Sequence, residues 1–157
     1  MSGRSWLRMN EMLHNAKEEL KRADHLIFVS LKYTRTVDVV INALNRLIEA
    51  YDFLCMSLLE KAKEKNLMME IPETPIERAH AVKEMHPDDK VLDNIELYLL
   101  MRKIVKSNVQ KENEYRRHVA LITYIAGRQE IVNIDIITEY FAYVQEFVEH
   151  VEKLLGE

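Results

Sequence analysis

The sequence predicts an all-α protein, an antiparallel up-down bundle of four main helices with short helices between them. Three observations carry that expectation. The 157 residues include only three glycines and three prolines, where average usage of about 7% glycine would supply roughly eleven. Between Arg4 and Ile71 there is neither glycine nor proline, whereas a sheet protein needs a turn every 8–12 residues or so. Finally, apolar residues recur at spacings of three and four over long stretches, which is the period of a helix face buried against neighbours.

In chain order, a first helix runs from about Ser5 to Ile27. The stretch Phe28 to Thr36 is rich in β-branched and aromatic residues; such residues lose rotamer freedom in helices, so a bend or irregular turn belongs there. A long helix follows from Thr34 or Thr36 to about Lys65. Val37, Ile41, Leu44, Ile48, Tyr51, Cys55, Leu58 and Ala62 form its unbroken stripe. Residues 66–76 form the main loop. Thr74 is a good N-cap and Pro75 suits the first turn of a short helix to about His86. Pro87 breaks the chain, and Asp88 or Asp89 caps a helix carrying Val91, Ile95, Leu99 and Ile104. After a polar stretch from Lys106 to Asn113, another helix is expected to about Ala126. Tyr115, Val119, Ile122 and Ala126 would lie on its face, and Gly127 would be its C-terminal stop. The last helix starts at the N-cap Asn133 and ends at Gly156. Ile134, Ile137, Phe141, Val144, Val148, Val151 and Leu155 make its seam.

This length fits one domain covering residues 1–157. Such a chain buries roughly two-thirds of its unfolded surface and needs no metal or disulfide staple. The lone Cys55 cannot form an internal disulfide. On an apolar helix face it reads as a small buried hydrophobe, consistent with a reducing, cytoplasmic setting. No apolar run reaches the ~18 residues of a membrane span, and no secretory leader is legible. Net charge is −4, which argues against nucleic-acid binding by a general basic field. The charge is uneven, however. Residues 1–36 hold seven basic and four acidic side chains, and residues 128–157 hold two and seven. The wide apolar stripes on the long helix and on the last helix exceed what one neighbour covers, so a homo-oligomer, a homodimer in its simplest form, is expected.

Two polar clusters stand out. Lys32, Tyr33, Thr34, Arg35, Thr36 and Asp38 form one, and Tyr115, Arg116, Arg117 and His118 the other. Guanidinium forks suit phosphate or carboxylate, and a tyrosine ring can stack on a base. If both segments meet at one end of the bundle, they make a site for a nucleotide, RNA or a protein partner, with Lys32, Tyr33, Arg35 and Tyr115 as ligand-binding residues. The alternative is ordinary surface pairing, Arg35 with Asp38 and Arg117 with a nearby Glu.

The layout of a long central helix, a final amphipathic helix and the Lys32–Thr36 run resembles the HEPN group (higher eukaryote and prokaryote nucleotide-binding domains), in a prokaryotic, possibly archaeal, form. Active members cleave RNA with an Arg-x(4–6)-His motif in a late helix. Arg116, Arg117 and His118 stand in about that place, with the arginines adjacent to the histidine instead of at the motif's spacing. The one formal match, Arg8 to His14, lies in the first helix. The resemblance therefore implies a binding or partner module, or else a ribonuclease in which His118 is the acid/base and Arg116 and Arg117 stabilise phosphate charge.

A di-iron carboxylate bundle is a further alternative, because Glu-x-x-His occurs at Glu11–His14 and Glu77–His80. Glu49 and Glu60 on the long helix lack the inward placement that such a site needs, so no metal and no cofactor is expected. Glu114–His118 and Glu146–His150 read as solvated i,i+4 contacts. There is no Gly-rich phosphate loop, no cysteine-pair zinc site and no nucleophile turn.

Overall fold

Two long helices begin the chain and pack along each other. The computed structural model describes residues 3–157, the side chain of Ser5 excepted. Helix α1 (Gly3–His25) runs into a π-helical turn (Leu26–Ser30) and a last α-turn, α2 (Leu31–Tyr33). The predicted interruption at 28–36 is therefore confined to Thr34–Thr36. Burial of Ile27 and Leu31 outweighs the modest helix penalty of the β-branched and aromatic residues. The π turn keeps both on the core side, while Phe28 and Val29 face out.

Helix α3 (Val37–Glu64) follows at once. Thr36 caps it, its Oγ1 accepting from the Val39 N–H at 3.4 Å. At its other end Asn66 takes a left-handed φ of 59°, and the Leu67 N–H returns to the Ala62 carbonyl at 2.9 Å, closing a Schellman-type end. Its length of 28 residues corresponds to about 42 Å at 1.5 Å per residue.

Helices α4 (Pro75–Met85) and α5 (Asp89–Lys106) start where expected, capped by Thr74 and Asp88. His86 is extended, as the residue before a proline must be to avoid the pyrrolidine ring. Helix α6 (Ile134–Gly156) is capped by Asn133, whose Oδ1 accepts from the Ile136 N–H at 2.8 Å.

The fold is helix-dominated but not all-α. The helix expected over the segment ending at Ala126 is instead part of a three-stranded antiparallel sheet, β1 (Gln110–Glu112), β2 (Ala120–Ile125) and β3 (Arg128–Asn133), in the order β1-β2-β3. Ile125 pairs with Arg128, so Ala126 and Gly127 alone make the hairpin turn. Their φ values of 51° and 79° give the type I′ geometry that matches strand twist. Gly127 thus takes the left-handed conformation expected of it, but in a hairpin instead of a helix end. The run Val119–Thr123 is buried without alternation, as in a central strand covered on both faces.

Helix α3 lies at the centre. It packs on α1, α4, α5 and α6 and contributes Leu44, Leu47, Tyr51, Leu54, Leu58 and Leu59 to the core. The three-residue turn makes α1 antiparallel to α3. Lys17 meets Glu152 and Phe28 meets Phe141, so α6 also runs opposite to α1. Lys61 Nζ donates to the Leu154 carbonyl and, at 3.1 Å, to the Leu155 carbonyl, supplying a cation to the end of α6. The sheet joins the α5 C-terminus to the α6 N-terminus, at the same end as the α2–α3 turn. No helix among the described residues is long and apolar enough to cross a membrane.

Candidate functional site

The two polar segments singled out in the sequence are neighbours. The α2–α3 turn supplies Arg35, and the β1–β2 connection supplies Tyr115, whose backbone N–H donates to the Arg35 carbonyl at 2.6 Å. The contact is reinforced twice. Glu114 Oε2 accepts from the Val37 N–H at 3.0 Å, at the otherwise unpaired start of α3. Lys111 on β1 pairs with Asp38 at 3.2 Å. Tyr115 itself sits at φ 66°, a conformation that side chains other than glycine seldom adopt and that costs about 1–3 kcal/mol. The docking bond and the Glu114 contact hold it there.

Tyr33 and Tyr115 are 79% and 77% exposed, far beyond what core packing would leave to rings of this size. Lys32, Arg116, Arg117 and His118 are exposed as well. None of these four has an ion-pair partner among the described residues. The surface pairs expected from the sequence do not form. Asp38 goes to Lys111 instead of Arg35, Glu114 goes to the α3 N-terminus instead of His118, and Arg117 is unpaired. Arg35 Nε is shut off from solvent and has no hydrogen-bond partner among the described residues.

The residues do not close into one pocket. Arg117 and His118 line a cavity of about 290 Å3 with Ala120, Asn133, Ile134 and Asp135. Lys32, Tyr33 and Arg35 lie outside it. Arg116, Arg117 and His118 stand on a strand connection and not on the expected late helix. The sheet displaced that helix, and with it the helical repeat that would have set their spacing.

Among the described residues no group of His, Cys, Asp and Glu could hold a metal ion. Glu11, His14, Glu77 and His80 are all exposed. Glu49 is exposed too, while Glu60, expected to face outward, is buried. His150 pairs with Asp88 at 3.3 Å and not with Glu146.

A second polar constellation went unseen in the sequence. The Tyr98 hydroxyl on α5 donates to Asp52 Oδ1 on α3. The Arg102 guanidinium lies 5.7 Å from the Tyr98 ring centroid, and Tyr51 donates to Asn94 Oδ1 at 2.7 Å. Burial raises the Asp52 carboxyl above its ordinary range, against the opposing pull of Tyr98, Arg102 and Arg78. Burial also pushes the Tyr98 phenol far up, and its bond to Asp52 adds to this. A phenol so raised stays protonated, and its bond to Asp52 ties α3 to α5. The sequence carried one faint sign of it, an aspartate beside Tyr51 within an apolar helical stripe.

No protein-family model matches the chain, and neither a curated protein nor a solved structure matches it.

Proposed function

We propose that the chain is a cytoplasmic, homo-oligomeric binding module, a HEPN-like up-down helical bundle with a small three-stranded sheet added, whose polar end takes a phosphate-bearing ligand, single-stranded RNA or a nucleotide. The observation that carries the reading is the Tyr115-to-Arg35 backbone bond of 2.6 Å. It brings together two cation-rich segments, each of which carries an exposed tyrosine, Tyr33 and Tyr115. Exposed rings beside uncommitted cations suit stacking of bases along a tracked phosphate backbone, worth about 1–3 kcal/mol per stacked base. The exposed apolar side chains Trp6, Leu7 and Phe28 support self-association.

Fluorescence anisotropy with a labelled single-stranded RNA and with a labelled adenosine nucleotide tests this reading. Tyr115→Gly keeps the left-handed backbone and removes the ring, so together with Tyr33→Ala it should weaken binding at least tenfold while the fold persists. Absence of saturable binding to either probe refutes the proposal. Sedimentation that shows a strict monomer at high micromolar concentration refutes the oligomer.

The shared cavity of Arg117 and His118 favours a second reading, a ribonuclease with His118 as acid/base and Arg116 and Arg117 on the phosphate. Incubation of RNA with the protein and with His118→Ala decides it. Equal cleavage by both, or none by either, removes the idea.

A further inference from the structure

We propose that the groove between α1 and α3 binds a small organic phosphate monoester, at a site separate from the polar end. The two helices approach closely because Ala16, Ala23, Ala43 and Ala50 are fully buried. On one side of this seam lies a groove of about 560 Å3, within the size range of small-molecule sites. Helix α1 lines it with Glu18, Lys21, Arg22 and His25, and α3 with Asn42, Asn45 and Arg46.

The arginines are prearranged from below. Glu19, only 6% exposed, accepts from Arg22 through Oε1 and from Arg46 through Oε2, the latter at 2.9 Å. One buried carboxylate thereby fixes two guanidiniums drawn from different helices. An arginine has five N–H donors, and each of these two commits only its Nη1 to Glu19. A buried anion that orients two cations lowers the cost of arranging them around a ligand.

Charge counting gives the ligand its sign. Glu18 neutralises Lys21 at 3.0 Å, and Glu19 neutralises one of the two arginines, so the groove keeps a positive surplus in a chain of net charge −4. Asn42, Asn45 and His25 have no partner among the described residues. They offer further donors and acceptors to ester or hydroxyl oxygens. Two guanidinium forks converging from two helices suit a tetrahedral dianion better than a flat monoanion. The groove is far larger than a bare phosphate and carries Leu26 on its wall, which calls for an organic substituent. The π turn begins at Leu26 itself, and such turns are frequent at functional sites.

The test is an NMR titration of the full chain with phenyl phosphate, with inorganic phosphate and benzoate as comparators. Saturable shifts of the backbone amides of residues 21–26 and 42–46 are expected, with phenyl phosphate binding tighter than either comparator. Arg22→Gln and Arg46→Gln should each weaken it at least tenfold. Asn42→Glu, on the exposed rim, should do the same and keeps the test decisive if the arginine variants do not fold. Four results overturn the proposal: no saturable shift up to about 5 mM, a regime of Kd weaker than millimolar; shifts confined to residues 111–118, which would place the phosphate at the polar end; equal binding of a comparator; or undiminished binding by folded variants.

Discussion

Replacing Tyr98 by phenylalanine removes one oxygen and nothing else from a side chain that is 1% exposed. No cavity is created, so the loss is that of the hydroxyl's bond to Asp52. A hydrogen bond to a charged group is worth about 1.5–3 kcal/mol. Asp52 is incompletely buried and keeps the fields of Arg102 and Arg78, which places the expected loss in the lower half, about 1.5–2 kcal/mol at neutral pH. The pH dependence follows from the sign of the Asp52 shift. Burial raises its folded-state pKa, so the folded protein holds that proton more tightly than the unfolded chain does. The stability this proton contributes is full below the unfolded value near 3.9 and is lost as pH rises through the folded value. Tyr98 opposes that loss by stabilising the carboxylate. Tyr98→Phe should therefore cost more at about pH 7.5 than at about pH 4.5, because a larger share of Asp52 is ionised at the higher pH. Urea unfolding followed by far-UV circular dichroism at both pH values measures this. A cost below about 0.5 kcal/mol at neutral pH, or one equal at both within the error of extrapolation, refutes the account. Asp52→Asn, alone and combined with Tyr98→Phe, isolates the pair.

Other perturbations read other parts of the molecule. Leu58→Ala, at a side chain 1% exposed on the central helix, should cost about 2–5 kcal/mol by chemical denaturation; under about 1 kcal/mol would show that the site collapses freely or is not core. Gly127→Ala meets no atom within 4 Å, so its cost should be purely conformational, roughly 1–2 kcal/mol for a side chain held at positive φ; a neutral effect on the melting temperature would contradict the turn. Burial pushes the Cys55 thiol up to about 12, so an aromatic disulfide reagent should modify it slowly in the folded protein and promptly in urea. Rapid stoichiometric modification of the native protein would show that the α3 face is open.

What was legible in the sequence is what local chemistry decides. Thr36, Thr74, Asp88 and Asn133 cap helices because an oxygen two or three residues from a free N–H needs no tertiary partner to act. Segment 115–126 is ambiguous because Val119, Ile122 and Ala126 satisfy a helical spacing, while the same run is also rich in strand-forming residues. The hairpin turn is Ala-Gly, without the Asn or Asp that would have marked it, so the choice fell to burial of β2 in the core. The same override, in the opposite direction, kept residues 28–33 helical. At the polar end, composition picked two segments that do touch, but not the displacement of Arg117 and His118 from Lys32, Tyr33 and Arg35. The Asp52–Tyr98 and Glu19–Arg46 contacts were out of reach, since each depends on the rotation of one helix against another.

The bond between Arg35 and Tyr115 also implies an order of assembly. It joins residues about eighty positions apart, a closure that is entropically costly, whereas α1 and α3 meet across a three-residue turn. The helical pair can form early from near contacts, with the strands arriving afterwards to lock its turned end. A bond made after the rate-limiting step affects escape from the native state more than entry into it. The left-handed Tyr115 is then less a brace for the folding chain than a catch on the finished one, and loosening it should speed unfolding while leaving refolding nearly unchanged.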